Sequence, residues 1–189
     1  ITEVYALHTS TDADVGHFQT RPGAIMAAAD EFKVNITGRG GHAASPHDTA
    51  DPLITAIGIA SAIQTIISRN HDPRKAAVCS ITQFHAGTTH NVIDETAFIS
   101  GTIRTFDKKD REMILRRIKE IAEGQALSYN CRAEVTLTKG YPATVNNPEK
   151  TAFAVEVAEE IAGEAAVTSN ADLDLRAEDF SYMLAARLG

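Results

Sequence analysis

Between Phe32 and Lys139 the hydrophobic pattern runs strand, helix, strand, strand, helix, strand, and this order limits the fold more than any other property of the chain. Phe32-Lys33-Val34-Asn35-Ile36-Thr37 alternates strictly, which places Phe32, Val34 and Ile36 on one face of a half-buried strand. From Leu53 to Ser68 the residues Leu53, Ile57, Ala60, Ile63 and Ile67 recur at helical spacing. Asp51 can cap that helix, Pro52 suits its first turn, and it is expected to end before Asn70 and Pro73. Residues 76–84 (AAVCSITQF) and 94–106 (DETAFISGTIRTF) read as two strands, with Gly87 and its threonines marking a turn or wide loop. Asp107 can cap a second helix, with Asp110 in a capping-box-like position and an apolar stripe of Ile114, Ile118, Ile121 and Ala122. Residues 132–139 (RAEVTLTK) alternate again. The order predicts an α+β, ferredoxin-like βαββαβ domain: a four-stranded antiparallel sheet with two helices on one face.

The flanks do not fit inside that unit. Residues 1–30 offer a strand at Glu3–Leu7 and an apolar strand over 24–29, and residues 140–189 offer a helix from Pro148 to Ile161 and another starting near Glu178. The organisation expected is a domain over 31–139 inserted into an incomplete α/β domain made from 1–30 and 140–189. The chain opens at Ile1 rather than Met and stops directly after an apparent helix, so it is expected to be part of a longer protein.

Charge and cysteine content remove several classes of function. With 18 Lys and Arg against 25 Asp and Glu, the net charge of −7 argues against a nucleic-acid footprint. No apolar run approaches the ~20 residues a membrane span requires, and no basic segment precedes an apolar core as in a signal peptide. Cys79 and Cys131 lie far apart without a CxxC pair, which supports neither a disulfide framework nor a zinc finger. Two buried thiols in a reducing, cytoplasmic setting is the expectation.

Several residues could carry chemistry. GRGGHAASPH places His42 and His47 five apart in a glycine- and proline-rich loop. This is not a metal spacing, and the loop either satisfies backbone groups with its imidazoles or presents one of them. Asn91 ends a loop, and Arg104 shares a strand face with Phe98, Ser100 and Thr102. A guanidinium and an amide together suit a carboxylate, although a lone strand arginine is more often a surface charge. His8 follows VYAL at the end of a predicted strand, a place where open α/β sheets carry metal ligands as well as ordinary histidines. Glu178-Asp179 precedes Phe180 at a helix start, where carboxylates also act as simple caps. His90 adjoins Asn91, while His17, His71 and His85 have no evident partner in the sequence.

In family order these pieces are RPGA through Ala29-Asp30, GRGGHAASPH, Asp51-Pro52, QTIISRN, Gly87 to Ile93, GTIRTF and AEDFS. The series resembles the metal-dependent N-acyl-amino-acid amidohydrolases, the group that includes hippurate hydrolases and auxin-conjugate hydrolases. The resemblance implies a catalytic α/β domain holding two divalent metal ions (Zn, Mn, Co or Ni) and an inserted lid that forms a homodimer. It assigns His42 to the partner subunit's active site as an oxyanion donor, Asn91 and Arg104 to the substrate carboxylate or oxyanion, and His8 to a metal. The expected reaction is hydrolysis of an N-acyl or N-aroyl amino acid such as a hippurate-like substrate, with a general-base glutamate outside these residues.

The pattern departs from the family at two places. Thr9-Ser10-Thr11 follows His8 where the family has His-x-x-Pro, and Asp94 stands where the family has proline after NVI. The Cys-Gly-His-Asp segment, the paired glutamates and the C-terminal ligand histidine of the family are not within these 189 residues, so the span by itself is expected to be inert. Two other readings remain open: a non-catalytic ferredoxin-like dimerisation or ligand-binding module, and a dipeptidase or diaminopimelate-precursor hydrolase of the same superfamily.

Overall fold

The computed structural model describes residues 3–186, a mixture of helix and strand. In chain order the strands are β1 (Phe18–Gln19), β2 (Gly23–Met26), β3 (Ala28–Thr37), β4 (Gly41–His42), β5 (Ala77–Ala86), β6 (Val92–Ile93), β7 (Thr96–Thr105), β8 (Arg132–Lys139), β9 (Thr144–Asn146) and β10 (Val167–Thr168). The α-helices are α1 (Pro52–Thr65), α2 (Lys108–Ser128), α3 (Pro148–Ala162) and α4 (Phe180–Ala185). Two compact units result, one of Asp30–Gly140 and one from the stretches before and after it.

Within Asp30–Gly140 a four-stranded sheet has the order β5-β7-β3-β8, and the β5/β7 and β3/β8 pairs are antiparallel. The period-two pattern of β3 and β7 is realised: Phe32, Val34 and Ile36 are buried with Ile99 and Ile103 on one face. Both α1 and α2 cover that face, α1 through Ala56, Ile59 and Ile63, with Ile66 just beyond its end, and α2 through Ile114, Leu115, Ile118 and Ala122. Gly101 of β7 is fixed by close approach. A Cβ there would stand 2.0 Å from the Ser80 carbonyl oxygen and 2.7 Å from the Phe32 ring.

Helix starts follow the sequence chemistry. Asp51 accepts from the Leu53 and Ile54 amides at 2.8 and 3.3 Å, with Pro52 in the first turn. Asp107 accepts from the Lys109 and Asp110 amides at 2.8 and 3.1 Å. The Asp110 carboxylate turns elsewhere, to Lys75 at 2.9 Å and to within 3.6 Å of buried His71.

Four expectations need correction. First, α1 is turned part of the way from its predicted face. Ile63 is buried as expected and Ala60 and Ile67 pack partly against the core, but Leu53 and Ile57 are exposed together with Ile54, and Ala56, Ile59 and Ile66 complete the buried stripe. Burying an isoleucine outright contributes about 1.5–3 kcal/mol, so the three that reach 0% exposure set the phase of the helix. Second, helical structure does not end before Asn70: past Thr65 it continues as a π-helical turn, Ile66–Asn70. The resulting 19-residue segment Pro52–Asn70 is long and apolar enough to cross a bilayer by length and composition, where the sequence reading found no such run, yet it covers the sheet as a core helix. Third, Glu3–Leu7 is irregular rather than a strand, so His8 does not end one. Fourth, the loop before β7 contains β6, which pairs with β4 as a separate two-stranded ribbon.

In the flanking unit β1 pairs parallel with β10 and β2 pairs antiparallel with β9. Asn147 caps α3 by accepting from the Glu149 and Lys150 amides, and Gly163 ends it at φ +84, a left-handed conformation that suits glycine.

Candidate active site

The β4–β6 ribbon is where the loop histidine and the loop asparagine meet. Gly41 pairs with Ile93 and His42 with Val92, and the Ala43 amide donates to the Asn91 carbonyl at 3.0 Å. The glycines that precede His42 serve close packing within the chain. A Cβ on Gly38 would lie 2.1 Å from the Ala50 carbonyl oxygen, and one on Gly40 would lie 2.6 Å from the Ile93 carbonyl oxygen.

His42 itself is exposed at the ribbon. The Ala44 amide donates to its Nδ1 at 3.1 Å. An imidazole nitrogen that accepts a hydrogen bond carries no proton, so the neutral ring holds its proton on Nε2. The ribbon therefore presents a neutral N–H donor on an exposed ring. Such a donor is one of the groups able to stabilise an oxyanion.

His47 lies outside this arrangement, its Nε2 3.5 Å from the Asp48 carboxylate with both groups exposed. His90 is exposed in the turn before Asn91. Asp94, where the family has proline, accepts from the Thr88 hydroxyl at 3.0 Å and closes that turn.

Arg104 is not brought to this group. It lies at the far end of β7 from the ribbon, eight residue steps from Thr96, or about 26 Å along an extended strand. Its Nη1 donates to the Ile103 carbonyl at 3.0 Å and to the Thr102 hydroxyl, which in turn donates to the Asp30 carbonyl at 3.2 Å. Arg104 sits on the face away from the helices, half-buried.

In the flanking unit His8 lies with its Nδ1 2.6 Å from Glu178 Oε2. The Phe180 amide donates to the other carboxylate oxygen, Oε1, at 3.4 Å. Buried Ser181 ties the Glu178 backbone down, its hydroxyl donating to the Glu178 carbonyl at 2.7 Å and its amide at 3.2 Å. A hydrogen bond from the Asp179 carboxyl holds Glu178 below the usual carboxylate range and Asp179 above it. Sequence reasoning had reached His8 and Glu178 separately, and no local pattern could have joined residues so distant along the chain. Among the described residues no three His, Cys, Asp or Glu side chains cluster as a metal site. The donor chemistry of His8 fits a single metal ligand: with Nδ1 turned to Glu178, Nε2 is the ring nitrogen left to coordinate.

The sequence profile described as a peptidase dimerisation domain matches residues 28–130, more than half of the chain. The chain belongs to the M20 peptidase dimerisation-domain family. This M20 chain is 43% identical over 184 residues to an N-acetyldiaminopimelate deacetylase of Enterococcus faecalis, an alignment covering 96% of the chain and 48% of that enzyme. A second N-acetyldiaminopimelate deacetylase, from Streptococcus sanguinis, is 38% identical over 183 residues, with 96% and 48% covered. Among solved structures, the YXEP protein of Bacillus subtilis, described as a dinuclear metal-binding peptidase of the M20 family, superposes with a TM-score of 0.75 at 30% identity. That match covers 94% of the M20 chain and 44% of YXEP. The M20 chain thus spans about half the length of the curated relatives it matches.

Proposed function

We propose that the complete protein is a metal-dependent amidohydrolase that removes an acyl group from the nitrogen of an amino acid. The observation that carries this reading is the bond from the Ala44 amide to Nδ1 of His42, which leaves Nε2 as the donor nitrogen of an exposed ring on the ribbon of this M20 chain. The names of the relatives put an N-acetylated diaminopimelate first among candidate substrates. Hippurate-like N-aroyl amino acids, favoured by the motifs alone, come second.

Residues 31–139 act in this reading as a ferredoxin-like lid, supported by the strand order β5-β7-β3-β8 and the two helices on one face. The lid joins two copies of the chain. The exposed Leu53, Ile54 and Ile57 of α1, which lies beside the edge strand β5, form an apolar surface suited to a second copy. His42 and Asn91 then serve the partner's reaction centre. Arg104, at the opposite end of β7, serves a different centre and does not clamp one carboxylate together with Asn91 of its own chain.

Two divalent cations of the Zn, Mn, Co or Ni class, when bound, supply carbonyl polarisation and a water of lowered pKa. His8 holds one of them through a ring nitrogen. His42 donates a hydrogen bond from Nε2–H to the oxygen on which charge develops, and the Arg104 guanidinium offers paired donors to the substrate carboxylate.

Subunit mixing tests the reading. His42→Ala and His8→Ala variants of the complete protein are each expected to lose activity toward N-acetyldiaminopimelate, by on the order of 10²–10³ in kcat for His42→Ala with metal content intact. Mixed dimers recover activity above either parent, because one centre then has both a complete metal set and a donor from its neighbour. Absence of recovery, with mixed dimers demonstrated, overturns the assignment of His42 to the partner. Absence of hydrolysis of acetylated amino acids, hippurate and dipeptides by the metal-loaded protein returns the chain to a binding module.

A further inference from the structure

The His8–Glu178 contact reaches beyond the site as the motifs describe it. Glu178 is held at three points: its carbonyl by the hydroxyl and amide of buried Ser181, and its Oε1 by the Phe180 amide. That leaves Oε2 as the oxygen turned to His8, at 2.6 Å from Nδ1. The other carboxylates nearby are engaged. Arg176 donates through Nε to Asp174 at 2.8 and 3.0 Å and through Nη2 to Asp12 at 2.7 Å. Glu178 is therefore the acidic group in direct contact with the imidazole, on a side chain only about one-fifth exposed.

We infer that Glu178 is a positioning residue for His8, fixing the ring so that Nε2 faces the metal and increasing its basicity as a ligand. The inference rests on the assignment of His8 to a metal made above. A histidine bound to a metal through one ring nitrogen commonly turns the other to a carboxylate, and loss of that partner costs about 10–100-fold in metal affinity. This role also accounts for the glutamate of AEDFS, one of whose oxygens accepts from the first amide of α4 while the other faces His8. Asp179 supports Glu178 from the side, and Ser181 anchors it.

The test is metal binding by the complete protein, measured as stoichiometry and dissociation constant for Zn²⁺ by competition with a chelator, and as the visible spectrum of the Co²⁺ form. Glu178→Ala is expected to weaken one of the two ions by about 10–100-fold, while Glu178→Gln, which keeps an oxygen beside Nδ1, restores affinity to within about tenfold of the parent. His8→Ala loses that ion, and the double variant is no worse than His8→Ala alone, the non-additivity expected of two groups acting as one unit. Parental affinity in Glu178→Ala, alongside a lost ion in His8→Ala, overturns the positioning role and leaves the assignment of His8 standing. A double variant weaker than His8→Ala by the full Glu178→Ala factor also overturns it, because Glu178 then acts without His8. Two ions at parental affinity in His8→Ala overturn the assignment of His8 and the inference with it.

Discussion

Arg111 grips Asp30 with two edges of its guanidinium, Nε to Oδ2 at 2.7 Å and Nη2 to Oδ1 at 2.5 Å. The carboxylate is wholly buried, and the Gly140 amide donates to its Oδ1 at 3.1 Å. Arg111 also donates to the Gly140 carbonyl at 3.2 Å, so the pair stitches the first and last residues of the unit Asp30–Gly140 together. Removing one partner of a buried ion pair strands the other charge. Arg111→Ala is expected to destabilise the protein by about 3–5 kcal/mol in denaturant unfolding, and a change below ~1 kcal/mol would show that the pair is solvated.

Gly40 controls the ribbon without touching the imidazole. Its missing Cβ leaves room for the Ile93 carbonyl, which a methyl group would meet at 2.6 Å. Gly40→Ala is expected to displace β4 from β6 and lower kcat by on the order of 10²-fold, as an ångström-scale misplacement of a catalytic group does. The atoms the methyl group would meet belong to Ile93 and Glu95, neither of them in the hydrophobic core, so the melting temperature should follow the parent within a few degrees. Parental kcat in this variant would separate ribbon geometry from turnover.

The exposed face of α1 predicts the behaviour of Ile57→Glu. Ile57 is 47% exposed, so the charge should cost the folded chain no more than about 0.5 kcal/mol. At a dimer interface the same charge would be buried twice across the symmetry axis. Sedimentation velocity is expected to show a shift from dimer to monomer together with loss of activity. A dimer of undiminished affinity would place the interface elsewhere.

The two thiols differ in environment. Burial pushes Cys79 up to about 11, whereas Cys131 is partly exposed and accepts a hydrogen bond from the Thr55 hydroxyl at 3.2 Å. At pH 8 a disulfide reagent should titrate Cys131 in the folded protein and reach Cys79 only on unfolding. The sign of the pH effect follows from a folded pKa above the unfolded value of about 8.5. The stabilising contribution of the neutral Cys79 thiol is complete below ~8.5 and is lost as pH rises through about 11, so Cys79→Ala should flatten the alkaline fall in stability.

Much of the Asp30–Gly140 unit could be read from the chain because its strands alternate cleanly and its helix caps are local. Phe32, Val34 and Ile36 announce their face, and Asp51 and Asp107 announce the helices that follow them. The phase of α1 was only partly legible because PLITAIGIASAIQT is apolar nearly all round, and only packing against the sheet selects Ala56 and Ile59 over Leu53 and Ile57. The ribbon escaped notice for a different reason. Two-residue strands are too short to show a period, and His42 finds Val92 only through the fold. At the site, residue types could be read and their grouping could not. Arg104 and Asn91 look like neighbours in sequence, yet the length of β7 separates them, while His8 and Glu178 look unrelated and touch.

The extended run of β7 between the ribbon and Arg104 works as a ruler. Core residues Ala97, Ile99 and Ile103 occupy one side of it and Arg104 the other, so a regular strand keeps that arrangement when its length changes two residues at a time, in steps of about 6.6 Å. A single inserted residue would swing the guanidinium into the hydrocarbon interior. In a dimer built on this unit, the gap between the two places that this strand serves is therefore quantised.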